Sequence, residues 1–491
     1  MERLTAFVQE HIADDTSRLI LNRTKWPEID MDLAVNCIES RRKLRGKVQE
    51  WYDEPGLIFP RKLSAEQCSS SATGKYKAEL AEKIATQAGN DGEFSHPTQT
   101  EIIRRNWKIA DLTGGLGVDS WFFSKRASEV LYCEMLPELC KAATHNFSVL
   151  EAGNITVLNA AVCDSSETSP LASLRPSDKR DNTELKDRHI KSEELSTNLL
   201  KLNTSIFRSP TEILSGFNPD IVYIDPARRG EGGKKVFLIE ECTPDVLRLK
   251  DEIFGLSRHM LLKLSPMADI SMVCERLGEK CREVHVVATG GECKELLVWM
   301  DREWDEEYTV HAVELHRDGS RAVFSFRPSE ERIAGQIGND GSTAEGRWAD
   351  NACLFEPGKA LMKAGAYNLI SERFGIRKLG RSTHYYIYDT LNRDKQDCII
   401  SGNEHKEQIS VEDLQRFGKV FRIISCSPLD KRSIKAAGKA YPHSEVTARN
   451  ISMDTDTLRK KTGVTSGDDA HIFGLKSDSE GALLFITTPL A

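Results

Sequence analysis

KIADLTGGLGVDS, Lys108 to Ser120, decides how the first half of this chain folds. The apolar run KIADL carries Asp111 near its end and passes through Gly114, Gly115 and Gly117 into a helical pattern. A strand, a glycine turn and a helix in that order let the backbone come close to a bound molecule, while the N–H groups of the first helical turn stay available to it. A nucleotide-like cofactor fits such a turn.

What is missing narrows the choice. A dinucleotide fingerprint needs a further glycine three residues past Gly117, where Ser120 stands, and no Gly-Lys-Ser/Thr follows to make a P-loop. The next apolar run, VLYCE, ends in Glu134. An acid there can accept both hydroxyls of a ribose, and Asp111 can hold a cationic amino group. Ribose plus ammonium without pyrophosphate describes S-adenosylmethionine better than NAD. The glycine turn alone is equally a structural turn, and Glu134 tips the reading toward a site. The candidate cofactor residues are Asp111, Thr113, Gly114, Gly115, Gly117, Asp119, Glu134 and Asn159, the last from LNAAV at the end of the third apolar run.

Working outward, KIADL, EVLYCE, ITVLNAAV, DIVYIDP and HMLLKLSP are near-continuous apolar runs, the pattern of strands buried on both faces of a parallel sheet, with helical patterns between them. REVHVVAT and ELLVWMD are joined by only GGECK, so they form an antiparallel hairpin. The expected architecture is α/β, a doubly wound, mostly parallel sheet with ligands at the carboxyl ends of its strands. DIVYIDPARRG sets Asp225 and Pro226 at the tip of the fourth strand, with Arg228 and Arg229 just beyond. An acid there can orient an acceptor, and a guanidinium can stack on a base or grip a phosphate. The equally simple structural reading is an Asp-Pro strand end with Arg228 paired to a nearby acid. Ser265-Pro266 follows the fifth strand, where a cysteine nucleophile would serve covalent chemistry, so direct transfer is expected. Asp225, Pro226 and Arg228 are the catalytic candidates.

The flanks carry less chemistry. Residues 1–60 read as helical. In EQCSSSATGKYKAELAEKIA, Ser69 to Thr73 either cap a helix or face the cofactor's carboxylate. Residues 165–215 are polar and poorly periodic and read as an insertion, 328–350 as a linker, and 351–491 as an α+β domain of ferredoxin-like type. The 491 residues are 39% hydrophobic and 29% charged, with a net charge of −8, which argues against indiscriminate coating of nucleic acid. Residues 359–476, however, hold 21 Lys+Arg against 14 Asp+Glu. That basic segment either holds a polyanion or simply keeps a small domain soluble. The 12 cysteines are scattered without metal-binding spacing, so no metal is implied. With no apolar membrane span and no signal peptide, the chain is expected to be cytoplasmic. Oligomeric state is not encoded in any feature of the sequence.

SSSATGKYKA, DLTGGLGVD, YIDPARRG, LLKLSPMADI and GGECKELL, with EPGKALMKAGAYNLISERFGIRKL and TARNISMDTDTLRKK, resemble class I S-adenosylmethionine-dependent methyltransferases with a Rossmann-like sheet. More narrowly they resemble a bacterial group with a THUMP-like, ferredoxin-like C-terminal domain. The resemblance spans about residues 60–490. It implies a methyltransferase domain over 61–327, a THUMP-like domain over 351–491 and, because THUMP domains are associated with tRNA and rRNA modification, an RNA substrate. It departs from the pattern at LNAAV, which lacks the usual acid after the third strand. Three readings stay open: an RNA methyltransferase, a methyltransferase of a protein or small molecule, and a non-catalytic RNA-binding protein that senses the cofactor.

Overall fold

The computed structural model describes residues 2–87, 106–165, 206–227, 239–337, 352–389 and 409–490. The chain divides into two compact units, Met1–Arg282 with Leu296–Glu306, and Glu283–Glu295 with Glu307–Ala491.

The first unit is built on strands β1 (Lys108–Asp111), β2 (Glu129–Glu134), β3 (Ile155–Asn159), β6 (Ile221–Ile224), β7 (His259–Leu264) and the later residues of β9 (Glu292–Asp301). A separate two-stranded pair is formed by β4 (Ala161–Val162) and β5 (Phe207–Arg208). The main order is β3-β2-β1-β6-β7-β9. The first five strands are parallel, and β9 runs antiparallel to β7 with Leu261 opposite Trp299. The expected doubly wound sheet is therefore present. Its central strands are apolar on both faces because both are covered: Val130 to Cys133 and Ile221 to Ile224 are all buried. From β1 the chain winds to one side through β2 and β3, then returns to β6 on the other side. Such a reversal leaves a crevice at the strands' carboxyl ends.

The expected helical region at the N-terminus is also present, and it belongs to this unit. The helix Met31–Leu44, capped by Asp30, buries Arg41, whose guanidinium donates to the carbonyls of Tyr52, Glu54, Pro55 and Leu57 and so winds that loop around itself. Ile58 then exchanges two hydrogen bonds of 2.8 Å with the side chain of Asn146 on the helix Pro137–Val149. A buried amide satisfied on both sides fixes that junction, since leaving either partner unmatched would cost about 1–3 kcal/mol.

In the second unit β8 (Cys281–Thr289), from Glu283 on, pairs in parallel with β10 (Thr309–Leu315), which forms an antiparallel hairpin with β11 (Arg321–Phe326). Gly319, at φ +86°, sits in the hairpin's turn after Asp318. The turn from β8 to β9 holds Gly290 and Gly291, both at positive φ, the backbone that a two-residue hairpin needs. A helix, Pro328–Ile337, occupies the first ten residues of the stretch expected as a linker.

A seven-stranded sheet follows, made of β12 (Cys353–Pro357), β13 (Arg377–Lys378), β14 (Tyr386–Tyr388), β15 (Gly418–Pro428), β16 (His443–Arg449), β17 (Thr465–Ser477) and β18 (Gly481–Pro489). Its order is β13-β14-β12-β15-β18-β17-β16, antiparallel except for the β16–β17 pair. The helices Lys431–Ala440 and Thr455–Thr462 meet at Gly438, where an added Cβ would lie 1.9 Å from the Thr462 carbonyl oxygen. Ile434, Ala437, Leu458 and Ile472 close the core beneath them.

Candidate cofactor and acceptor site

The glycine turn is fixed from below by β2. Gly114 N donates to the Cys133 carbonyl at 2.8 Å, and a Cβ on Gly114 would sit 2.2 Å from the Tyr132 ring, so only glycine lets the turn lie this close to the strand. Tyr132 Oη donates to the Gly115 carbonyl at 2.6 Å, and Gly117, at φ +92°, opens the helix Val118–Ser124. Within this turn the Gly115 amide donates to Glu134 Oε2 at 2.9 Å, while the Leu136 amide donates to Oε1 at 2.8 Å. Glu134 is thus oriented by backbone on both oxygens, and each oxygen retains a further lone pair for a hydroxyl donor.

Asp111 is 1% exposed. Its Oδ1 receives the Thr113 amide at 3.0 Å and its Oδ2 the Ser120 hydroxyl at 2.6 Å. Burial nonetheless pushes its pKa up from 3.8 to about 7, the two hydrogen bonds offsetting only part of that and the charges of Asp119 and Asp225 adding to it. Burial also raises Glu134 above the ordinary carboxylate value. Two buried acids whose charged forms are under-solvated make a pocket that favours a cation and hydroxyl donors. That donor set fits the ammonium and the ribose of S-adenosylmethionine.

Asp119, also buried, opens the helix that follows the glycine turn. Burial would raise its pKa, but Lys77, Lys263, Tyr223 and Ser69 outweigh that and hold it below the usual value. Lys77, 0% exposed, places Nζ 3.4 Å from Asp119 Oδ1 and donates to Ser69 Oγ at 2.9 Å. Ser69 Oγ in turn donates to Asp119 Oδ2 at 2.9 Å, an oxygen that also receives Tyr223 Oη at 2.8 Å. The Ser-rich segment therefore binds the helix Val118–Ser124 through Asp119. Its Ser70 and Thr73 make the reciprocal contacts of a helix start, so the capping reading of Ser69 to Thr73 is realised in that pair.

At the tip of β6 the Asp225 amide donates to Thr113 Oγ1 at 2.7 Å, tying the acceptor loop to the glycine turn. Asp225 Oδ2 receives Lys263 Nζ at 2.6 Å, and the same Nζ lies 4.0 Å from Asp119. Pro226 is buried beside it. Asp225, half-exposed, is the outermost acid of a chain that runs inward through Lys263 to Asp119 and Lys77.

Of the sequence candidates, Asp111, Thr113, Gly114, Gly115, Gly117, Glu134 and Asp225 come together at the carboxyl ends of β1, β2 and β6. Asp119 instead pairs with Lys77 and Lys263. Asn159 directs Nδ2 at the carbonyls of Glu134 and Met135, at 2.8 and 3.1 Å, and so holds the turn after β2. Arg228 and Arg229 lie outside the described residues, as do residues 166–205 of the expected insertion. Lys77, Tyr223 and Lys263 went unrecognised. Lysine within the apolar run HMLLKLSP was the available signal, because a charged residue on a strand buried on both faces has to meet a partner.

Two family models match the C-terminal part of the chain: a ferredoxin-like domain over residues 354–394 and a THUMP domain-like model over residues 418–489. No curated protein matches the chain. Among solved structures it is similar to a candidate methyltransferase from Porphyromonas gingivalis W83, at 24% identity and TM-score 0.68, covering 100% of this chain and 98% of that one. That likeness shows a shared fold, with a doubly wound α/β sheet in the first unit. The second carries the ferredoxin-like and THUMP-like modules that the motifs suggested. Weaker similarity extends to an rRNA methylase from Streptococcus thermophilus, at 9% identity, TM-score 0.24, 45% of this chain and 94% of that one. It extends also to TrmK of M. capricolum in complex with S-adenosyl-homocysteine, at 9% identity, TM-score 0.24, 47% and 69%. Both scores are too low to bear on the fold. Among the described residues no helix is long and apolar enough to cross a membrane.

Proposed function

We propose that this chain is an S-adenosylmethionine-dependent methyltransferase that acts on RNA, a base of tRNA or rRNA. The observation that carries the reading is the pair of buried acids at the ends of adjacent parallel strands, Asp111 on β1 and Glu134 on β2, with the Gly114–Gly115 turn between them. S-adenosylmethionine, when bound, supplies a methyl group on a sulfonium. Asp111 takes its cationic amino group and Glu134 its ribose hydroxyls. Thr113 holds the Asp225 backbone, and Lys263 holds the Asp225 carboxylate, so that its second oxygen orients the acceptor. Because direct transfer needs alignment more than chemistry from the protein, orientation by Asp225 supplies most of the acceleration.

An RNA acceptor is favoured by the THUMP-like match and by the charge on its surface. Lys431, Arg432, Lys435 and Lys439 are exposed on one helix of that module, and Lys460 and Lys461 on the helix packed against it. Cations spaced over two adjoining helices suit a phosphate backbone better than a small acceptor.

The test is transfer of labelled methyl from S-adenosylmethionine to tRNA and rRNA by the purified chain, with calorimetric titration of the cofactor in parallel. Cofactor binding with labelled nucleosides in the RNA supports the reading. Absence of cofactor binding removes it, and binding without transfer to RNA turns the reading to a protein or small-molecule acceptor.

A further inference from the structure

In the second unit three ligating side chains converge on one face of two paired strands. Glu283 and His285 stand two residues apart on β8 and so face the same side, and His311 on β10 lies directly opposite His285 in the parallel register. His285 Nε2 is 3.0 Å from Glu283 Oε2, and His311 Nε2 is 3.4 Å from the same oxygen. The donor atoms of all three lie within 4.8 Å of one another. The imidazoles stack with centroids 4.5 Å apart and planes inclined by 22°, so both rings present the same edge to the carboxylate. His285 is 3% exposed, and the other two side chains are largely buried.

We propose that Glu283, His285 and His311 form a binding site for a divalent first-row transition ion such as Zn2+. Two imidazoles and one carboxylate are the neutral-nitrogen and oxygen set that such ions prefer, with a remaining position for water. Around an ion bound at about 2.0–2.1 Å, tetrahedral donors lie about 3.4 Å apart, close to the 3.0 and 3.4 Å that separate the two imidazoles from Glu283 Oε2. His311 Nε2 is buried and, despite its 3.4 Å approach to Glu283 Oε2, makes no hydrogen bond among the described residues, an unusual state that ligation would resolve. The ring is also oriented for it. Its other nitrogen, Nδ1, lies 2.7 Å from Ser325 Oγ on β11, the residue opposite His311 in the hairpin, which fixes the ring's rotation as outer-shell partners of ligating histidines do. Sequence spacing hides the site, because E-x-H and a single histidine 26 residues later become neighbours only through strand pairing.

The experiment uses the full chain stripped with EDTA and titrated with Co2+ and Zn2+, followed by visible absorption and calorimetry. Saturation at one ion per chain, with cobalt ligand-field bands and no thiolate charge transfer, is expected. His311→Gln and Glu283→Gln should each weaken binding by about 100-fold or more, and Ser325→Ala by about 10-fold, with circular dichroism in EDTA unchanged. If a ligand variant does not fold, the unsubstituted chain decides through stoichiometry and band type. Absence of saturable binding, thiolate bands, or binding unaffected by loss of His311 and Glu283 overturns the proposal.

Discussion

Replacing Asp111 by Asn asks whether the acid at the tip of β1 is as poorly solvated as its burial requires. Its pKa of about 7 in the folded chain, against 3.8 ordinarily, means that the folded state keeps a proton which the unfolded chain has already released. The associated stability is complete below about pH 4 and is lost as pH rises through 7, about 4 kcal/mol in all at 1.36 kcal/mol per unit. Between pH 5 and pH 8 this one carboxyl should remove about 3 kcal/mol. Asn keeps the size and can still accept from the Thr113 amide while its own amide donates to Ser120, but it does not titrate. At about 2 °C per kcal/mol for a unit this large, the melting temperature of the parent chain should therefore fall about 6 °C more over that range than that of the variant. Tryptophan fluorescence is the natural probe, because six of the seven tryptophans, Trp26, Trp51, Trp107, Trp121, Trp299 and Trp304, belong to the first unit. Glu134 titrates in both proteins and cancels in the difference. Parallel melting curves from pH 5 to pH 8 would refute the reasoning.

Other perturbations probe neighbouring links. S-adenosylmethionine should bind about tenfold tighter per pH unit between pH 5 and pH 7, with proton release visible as a buffer-dependent heat, because its ammonium selects the ionised Asp111; a flat affinity profile contradicts that pairing. Asp225→Ala should leave cofactor affinity within a few-fold while methyl transfer falls about 100-fold or more, as single-turnover measurement would reveal. Lys77→Met leaves Asp119 without its closest buried cation and should cost about 3–5 kcal/mol in urea unfolding, part of which Asp119→Asn restores; a loss under 1 kcal/mol would mean that Lys263 suffices. Reversing Lys431, Lys435 and Lys439 to Glu should weaken tRNA binding and lower the slope of log affinity against log salt by about 2 to 3, read by filter binding at several salt concentrations.

What the sequence made legible was set by local repetition. Apolar runs longer than any half-buried strand would carry betrayed the parallel sheet, and Asp111, the glycines and Glu134 stood at strand ends, where the order of the elements alone brings them together. The hairpin of REVHVVAT and ELLVWMD was equally local, its short connection leaving no other course. Lys77 and Lys263 were different. Nothing near them in the chain says that they share Asp119, because the contact is made between a helix, a strand and a helix start brought together by packing. Asn159 illustrates the converse: its position suggested a ligand contact, and the fold adds a task that position does not show, its Nδ2 donating to the carbonyls of Glu134 and Met135. A sequence displays positions along an element, while the direction in which a polar side chain spends its hydrogen bonds depends on what folds over it.

The small β4–β5 pair has a consequence for how this protein can vary. The Ala161 amide donates to the Ile206 carbonyl at 2.7 Å and the Cys163 amide to the Arg208 carbonyl at 3.0 Å, while Glu252 receives the hydroxyl of Ser165 on one side and both the amide and the hydroxyl of Thr211 on the other. Chain leaving at Ser165 and chain arriving at Ile206 are clasped together, so whatever lies between them begins and ends at one spot. Closing a loop grows costlier only as the logarithm of its length, about 0.6 kcal/mol per doubling. A deletion inside that stretch that still lets Ser165 and Ile206 meet would therefore keep β4, β5 and the Glu252 clasp together, and length can change there without a change at the crevice above β1 and β2.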